Sequence, residues 1–480
     1  MRTAIIGGGI AGMAAAWELE KARAAGEAAE YTLFEARERL GGVLASETVG
    51  GAVLDCGPDS FLTEKPAAAE LCRELGLGEA LTPSNDAGRK TWIVVRNRLV
   101  PLPDGLMFLI PTKLLPTALT PLFSLKTKLR MAMELLHPPR ASEADESVAA
   151  LVERHFGREA VDRLADPLLS GIFGGDATQL SARTVLARMV EMEANYGSLT
   201  RGMLAAHRQM RARAAAAEAQ GNARPAQRAT FTTLRGGMQQ LVEAVEARLS
   251  PEAIRRGTAV SAVERAGEGW RVTSGGRSQQ FDAVIMAAPA WAAGALLGGV
   301  DAALGEELAA IPYSSSITVN LVFDEQAIGP LPEGFGFLVP ASEGRTMLAC
   351  TFAHHKFLGR APKGKAVLRA FLGGARNEAL LSETDEALEA TVRRELREIL
   401  GARTMPPGAE PEAVRISRWK RAMAQYAVGH QERMERIHAR VETLPGLKLA
   451  GNAYDGIGVP DCIRLGRAAA QELLTAAVRA

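Results

Sequence analysis

Near the start of the chain, Gly7-Gly8-Gly9-Ile10-Ala11-Gly12 fits the pattern GxGxxG, and a carboxylate, Glu35, follows 23 residues beyond Gly12. Each position has a chemical reason. Gly7 permits a tight turn, Gly9 lets backbone approach a pyrophosphate, and Gly12 lets a helix pack closely on the preceding strand. Amides at the start of that helix, at Ile10 and Ala11, face the anion, and Glu35, with Ala36 beside it, accepts hydrogen bonds from a ribose. This chemistry needs a strand before the glycines, a helix after them and a second strand ending at the carboxylate. Residues 2–6 form an apolar run, residues 10–24 an alanine-rich helical pattern and residues 31–34 a second strand, so the required elements are all predicted.

Immediately after Glu35 comes Glu38-Arg39-Leu40-Gly41-Gly42. This spacing resembles the arginine and paired-glycine motif of flavoproteins in the amine oxidase group, and the resemblance favours FAD over NAD. Gly41 and Gly42 can bring amides close to phosphate or flavin oxygens, and Arg39 adds a cation nearby. At the other end of the chain, residues 450–463 form a glycine-rich loop leading into a helix that starts near Val459-Pro460-Asp461. Such a helix start aims amides and a positive dipole end at the flavin pyrimidine. One cofactor then touches both ends of the sequence.

Composition limits the alternatives. A chain of 480 residues, with 47% hydrophobic and 23% charged side chains, is an ordinary globular protein of about three domains, or two large ones. With 56 basic against 55 acidic residues the net charge is +1, which excludes general attraction to nucleic acid. Cys56, Cys72, Cys350 and Cys462 are scattered without a CxxC pair, so no zinc knuckle or disulfide framework is encoded and a reducing cytoplasm fits. The first residues read as structure rather than as a targeting segment. The apolar stretch 99–125 is broken by six residues, Pro101, Pro103, Pro111, Pro116, Pro121 and Lys113, so no membrane span is predicted.

The fold class expected is α/β (α+β). It comprises a discontinuous Rossmann-like nucleotide domain over residues 1–85, 230–292 and 410–480, and a mixed-sheet substrate domain over 86–103 and 293–409. A helical domain over 104–229 is inserted as a membrane-facing surface or channel wall. Strands are predicted at 258–263, 270–273, 283–287, 316–323, 337–339, 347–351, 366–372 and 447–450, with helices at 238–249, 383–400 and 461–478. The helical domain ends in a basic stretch with Arg201, Arg208, Arg211, Arg213, Arg224 and Arg228 against Glu218 alone.

Several motifs together resemble the HemY-type porphyrinogen oxidases, the FAD-dependent branch that includes coproporphyrinogen III oxidase and protoporphyrinogen oxidase. The carriers are residues 7–12 and 35–42, Gly57-Pro58-Asp59-Ser60-Phe61-Leu62, the segment 169–176, Leu234-Arg235-Gly236-Gly237-Met238, the segment 334–340 and residues 456–463. The resemblance implies FAD contacts from Gly57, Pro58, Asp59 and Ser60, from Val260 and Trp419, and from Val459, Pro460 and Asp461. It implies a substrate wall at Phe335, Leu338 and Gly171. The family arginine that pairs with a substrate propionate falls here on Thr91, which leaves Arg89, Lys90 or Lys65 as the carboxylate anchor. His354 and His355 are assigned to a surface turn, and neither a side-chain nucleophile nor a general base is assigned.

The implied reaction is the six-electron oxidation of a porphyrinogen in heme biosynthesis, with oxygen as acceptor and hydrogen peroxide released. Residues 57–62 with Lys65, Ile110-Pro111-Thr112-Lys113, Phe123-Ser124-Leu125 and residues 458–463 look closer to coproporphyrinogen III oxidases, with protoporphyrinogen IX as the alternative substrate. More remote alternatives are an amine oxidase or phytoene desaturase-like flavoenzyme and a non-catalytic flavin-binding scaffold. Expected partners are the porphyrinogen and oxygen, the next enzyme of the heme pathway by product handover, and the inner face of the cell membrane by peripheral contact.

Overall fold

The computed structural model describes residues 1–103, 105–107, 110–111, 114–138, 140, 144–219 and 229–479. Strand β1 (Arg2–Ile6) is buried from its second residue onward, with the apolar Ala4, Ile5 and Ile6 carrying the Thr3 hydroxyl into the interior with them. It forms the centre of a five-stranded sheet. Helix α1 (Ile10–Ala24) follows with Ala11, Ala14, Ala15 and Ala16 buried, small side chains that let it lie close on the strands. Strand β2 (Glu30–Phe34) pairs with β1 in parallel, and Ile254–Arg255 pairs with β2 beyond it. On the other side of β1 run Ala283–Met286 and Leu447–Leu449, also parallel. A parallel sheet of this kind, with helices on its faces, is the arrangement that the opening motif requires.

A second sheet of seven strands runs in the order Ala413–Ala424, Tyr313–Asp324, Lys365–Gly373, Met347–Phe352, Gly336–Leu338, Thr91–Val95 and Arg98–Pro101. All its pairings are antiparallel except that of Gly336–Leu338 with Thr91–Val95. The strands predicted at 316–323, 337–339, 347–351 and 366–372 therefore lie together. Ala413–Ala424, for which no strand was predicted, pairs with Tyr313–Asp324 along one edge. Its sequence, AVRISRWKRAMA, carries Arg415, Arg418, Lys420 and Arg421 and lacks the apolar alternation of a half-buried strand. The same polarity hides Arg277–Phe281, which completes a three-stranded antiparallel sheet with Val260–Ala266 and Gly269–Ser274.

Helices dominate the stretch between the two sheets, from Leu125–Met133 and Val148–Phe156 to Asp166–Phe173, Ala187–Tyr196 and Leu199–Ala219. A short hairpin, Leu106–Met107 with Ile110–Pro111, interrupts the helical pattern expected there. Their core is apolar, from Phe123, Leu151 and Phe156 to Leu164 and Leu186. Leu199–Ala219 carries Arg201, Arg208 and Arg211, while Arg224, Arg228, Thr112 and Lys113 lie outside the described residues. No helix among the described residues is long and apolar enough to cross a membrane.

Candidate cofactor and substrate site

The turn after β1 is built around glycine. Gly7 has φ +111°, and a β-carbon there would lie 2.7 Å from the backbone of Ala287. At Gly12 a β-carbon would come within 1.9 Å of the Gly7 carbonyl oxygen, so only glycine lets α1 start this close to its own turn. Gly9 differs. It is the N-cap of α1 with φ −68° and ψ 174°, and a β-carbon on it would meet no atom within 4 Å. No side chain caps the helix and its first turn holds no acidic residue. The amides at Ile10 and Ala11 thus have no side-chain cap, as a helix start that receives an anion requires. These residues fit a dinucleotide pyrophosphate.

Glu35 lies beside the turn, where one carboxylate oxygen accepts from Gly8 N–H at 2.7 Å and the other from Arg37 N–H at 2.8 Å. Ala36 links these two contacts. Thr258 N–H donates to the Glu35 carbonyl at 2.8 Å, which brings the chain leading to Val260 alongside. Gly41 N–H donates to the Gly8 carbonyl at 2.8 Å, and Gly42 faces Gly9, since a β-carbon on Gly42 would lie 3.2 Å from Gly9 Cα. Arg39 donates to the carbonyls of Leu40 at 3.1 Å and Leu44 at 3.0 Å and also to that of Gly42. Its cation therefore braces the paired-glycine loop from within.

The segment from Asp55 to Ser60 is held by side chains of the seven-stranded sheet. Trp419 Nε1 donates to the Cys56 carbonyl at 2.8 Å, Thr318 Oγ1 to the same oxygen at 2.6 Å, and Asn320 Nδ2 to the Asp55 carbonyl at 3.1 Å. Arg369 donates to the Gly57 carbonyl. Gly57 is pressed between Val43 and Trp419, because a β-carbon on it would lie 1.8 Å from the Val43 carbonyl oxygen and 3.7 Å from the indole. Past Pro58, the Asp59 carboxylate accepts from Lys356 Nζ at 2.9 Å and Ser60 Oγ at 2.7 Å, with Arg369 at 3.5 Å. Burial would raise the Asp59 carboxyl, but Lys356 and Arg369 hold it well below the usual carboxylate range. Asp55 binds Arg360 at 2.7 Å, and there burial prevails and pushes the carboxyl up.

The roles of Arg360, Arg369 and Lys356 were missed from sequence. One signal was present: Arg369 stands within the apolar run of Lys365–Gly373, and a buried cation requires a partner. Val459, Pro460 and Asp461 open the last helix, Val459–Arg479. Asp461 accepts from Gly458 N–H at 3.2 Å and from Lys65 Nζ at 2.7 Å, so Lys65, a candidate propionate anchor, is engaged within the chain. The last helix lies on α1: a β-carbon on Gly466 would be 2.0 Å from the Ala11 carbonyl oxygen, and Arg467 pairs with Glu18 at 2.6 Å. Both ends of the sequence therefore meet at the glycine turn.

Across the seven-stranded sheet, Gly171 and Leu338 come together, since a β-carbon on Gly171 would lie 3.3 Å from Leu338 Cδ2. Phe335 N–H donates to the Lys90 carbonyl at 2.9 Å, and Thr91 is in register with Gly336. The side chains of Lys90 and Arg89 diverge. Lys90 Nζ sits 4.7 Å above the Trp92 ring, and Arg89 donates to Thr230 Oγ1 at 2.7 Å. His354 and His355 occupy a helical turn, Ala353–Lys356, rather than a surface turn. His354 Nδ1 accepts from Val367 N–H at 3.0 Å, and burial lowers the imidazole to about 4.

Comparison with known proteins agrees with this geometry. The family model for flavin-containing amine oxidoreductases matches residues 10–474. The coproporphyrinogen III oxidase of Bacillus subtilis is 34% identical over 98% of this chain and 97% of its own length. The chloroplastic protoporphyrinogen oxidase of Nicotiana tabacum is 28% identical over 96% of this chain and 83% of its own. A crystal structure from Exiguobacterium, provisionally assigned as a protoporphyrinogen oxidase, superposes with a TM-score of 0.85 at 34% identity, covering 99% of each chain. A turn shaped for a dinucleotide and similarity along the whole length lead to one conclusion: this chain belongs to the flavin-containing amine oxidoreductases, in their HemY-type porphyrinogen oxidase branch.

Proposed function

We propose that this protein is an FAD-dependent, oxygen-using coproporphyrinogen III oxidase of heme biosynthesis. The observation that carries the reading is the full-length similarity to the Bacillus subtilis coproporphyrinogen III oxidase at 34% identity, against 28% to the tobacco protoporphyrinogen oxidase. In this reading the turn at residues 7–12, Glu35, Gly41, Gly42, the 57–60 segment, Val260, Trp419 and the start of the last helix hold FAD. When bound, FAD supplies a two-electron acceptor that oxygen regenerates, so three rounds give one porphyrin and three molecules of hydrogen peroxide.

The chain's own contribution is placement. Phe335, Leu338 and the glycine backbone at Gly171 form walls for a flat apolar macrocycle, and hydride transfer then requires only contact distance. Arg89 and Lys90, which follow one another beside Phe335, are the cations left to meet substrate carboxylates, with Lys65 drawn to Asp461. Residues 104–229 act as the substrate-side helical domain. Peripheral membrane contact is supported by Leu115, Leu119, Leu125, Leu129, Met133 and Leu136, each more than half exposed in one stretch beside the exposed Lys126. Handover of the porphyrin to the following enzyme would use the same helical side.

Porphyrin fluorescence from coproporphyrinogen III and protoporphyrinogen IX, followed under identical conditions with the flavin-loaded protein, tests the assignment. We expect faster oxidation of the tetrapropionate substrate with peroxide formed at three per porphyrin. Faster turnover of protoporphyrinogen IX would reverse the assignment, and turnover of primary amines alone would overturn it.

A further inference from the structure

Helix Asp166–Phe173, which carries Gly171, is tied at both ends by one arginine, and Ala375 N–H also donates to the carbonyl of Gly174 just past its end at 2.8 Å. Arg376 lies just beyond the strand Lys365–Gly373. Its Nη1 and Nη2 each donate to one oxygen of Asp166 at 2.8 Å, while Nε and Nη2 donate to Asp176 at 2.9 and 2.6 Å. Asp166 begins the helix and Asp176 lies just past its end. A planar guanidinium can fork two carboxylates in this way, which a lysine ammonium cannot. Gln425 Nε2 completes the hold by donating to the Phe173 carbonyl at 2.8 Å.

The helix follows a single π-turn, Val161–Ala165, where the regular i−4 ladder is broken. The turn itself is anchored, with Val161, Leu164 and Ala165 buried in the helical core and Arg163 donating to the Leu122 carbonyl at 2.7 Å, so the far end of the helix depends on its own contacts for placement. The helix packs directly on strand Gly336–Leu338, with 3.3 Å between an added Gly171 β-carbon and Leu338 Cδ2. A small displacement of the helix therefore shifts the Gly171 backbone relative to the Leu338 side chain.

We propose that Arg376 is a positioning residue that sets how the Gly171 backbone is aligned with the Leu338 side chain in the substrate wall and so determines how tightly the macrocycle is held. The proposal rests on the porphyrinogen reading above. Because the bonds of Arg376 are to Asp166 and Asp176 and it acts through the helix between them, its signature is a change in substrate affinity without a matching change in turnover.

The test uses flavin-loaded Arg376→Gln and Arg376→Lys proteins, with KM and kcat for coproporphyrinogen III, the Kd of coproporphyrin III by fluorescence quenching, and thermal midpoints. We expect KM and Kd to rise about tenfold in both variants with flavin content held and kcat lowered by a smaller factor, because a misaligned wall weakens every contact with the bound macrocycle. If Arg376→Gln does not fold, Asp176→Asn, which leaves the Asp166 fork in place, is expected to raise KM and Kd in the same direction. Wild-type KM and Kd in Arg376→Lys would show that charge alone suffices and would overturn the fork argument. A lowered thermal midpoint with unchanged KM and Kd would reduce Arg376 to a purely structural residue. Wild-type protein that neither binds coproporphyrin III nor oxidises any porphyrinogen would overturn the functional reading itself, before any variant is compared.

Discussion

Gly9→Val separates cofactor binding from folding. In the turn, the position has φ −68° and ψ 174°, extended backbone that valine adopts without strain, and beyond its two chain neighbours no protein atom lies within 4 Å of an added β-carbon. The folded chain therefore loses only the difference between glycine and valine as an N-cap, ~1 kcal/mol or less. Thermal denaturation of the apoprotein is expected to shift by a few degrees at most. A pyrophosphate is affected differently, because the isopropyl group fills the space in front of the Ile10 and Ala11 amides. Losing two charge-assisted hydrogen bonds at about 1.5–3 kcal/mol each weakens FAD by roughly 3–6 kcal/mol, on the order of 10²- to 10⁴-fold in Kd. Reconstitution of apoprotein with FAD, followed by flavin fluorescence quenching, reads this directly. A Gly9→Val protein that binds FAD with wild-type affinity would refute the placement of the phosphates at this turn.

The neighbouring glycine behaves oppositely: Gly12→Ala places a methyl 1.9 Å from the Gly7 carbonyl oxygen, so the apoprotein itself should lose about 1–3 kcal/mol or more, visible as a lowered thermal midpoint without ligand. Trp419→Phe removes the donor to the Cys56 carbonyl at 2.8 Å, at a cost of about 1–1.5 kcal/mol, and should weaken FAD about tenfold; unchanged Kd would show that this strand does not support the cofactor segment. A pH effect is expected in the helical region, where His155 Nδ1 lies 2.9 Å from Glu134 and Nε2 lies 3.2 Å from Glu193. Burial alone would lower this imidazole, but the two carboxylates outweigh it and raise it above its ordinary 6.5. The contribution of His155 is thus complete below about pH 6.5 and is lost as pH rises through the raised value. Glu193 works in the other direction: burial would raise it, yet His155 and Arg154 depress it to about 2, so its contribution is present above its ordinary 4.5 and is lost as pH falls towards 2. Because Glu134 also accepts from Leu199 N–H and Thr200 N–H, amide exchange at the start of Leu199–Ala219 should quicken as pH rises from 6 to 9, after correction for intrinsic rates, and His155→Gln should abolish that pH dependence.

The glycine turn was readable from sequence because its chemistry is local: six residues, a flanking strand and helix, and one carboxylate. The observed bounds of β1 and α1 coincide with the predicted ones. The grip on the 55–60 segment was not readable, since its partners at Thr318, Asn320, Arg369 and Trp419 come from three different strands. Arg376 likewise meets Asp166 across 210 residues, and nothing in the local pattern marks either as half of a pair. Phe335 and Leu338 were promoted by the family resemblance alone; without it, both read as core residues.

The central sheet draws strands from residues 2–34, 254–255, 283–286 and 447–449, and the helix that rests on α1 begins at Val459. A ribosome adding roughly 5–20 residues per second takes on the order of 20–90 s to deliver the last of those strands. Throughout that interval the outer edge of Ala283–Met286 lacks its neighbour Leu447–Leu449, and β1 and β2 lack theirs until residues 283–286 and 254–255 have been made. Expression yield of this protein is thus governed by how well the nascent chain is shielded during synthesis, and supplying holding chaperones should raise it more than added flavin does.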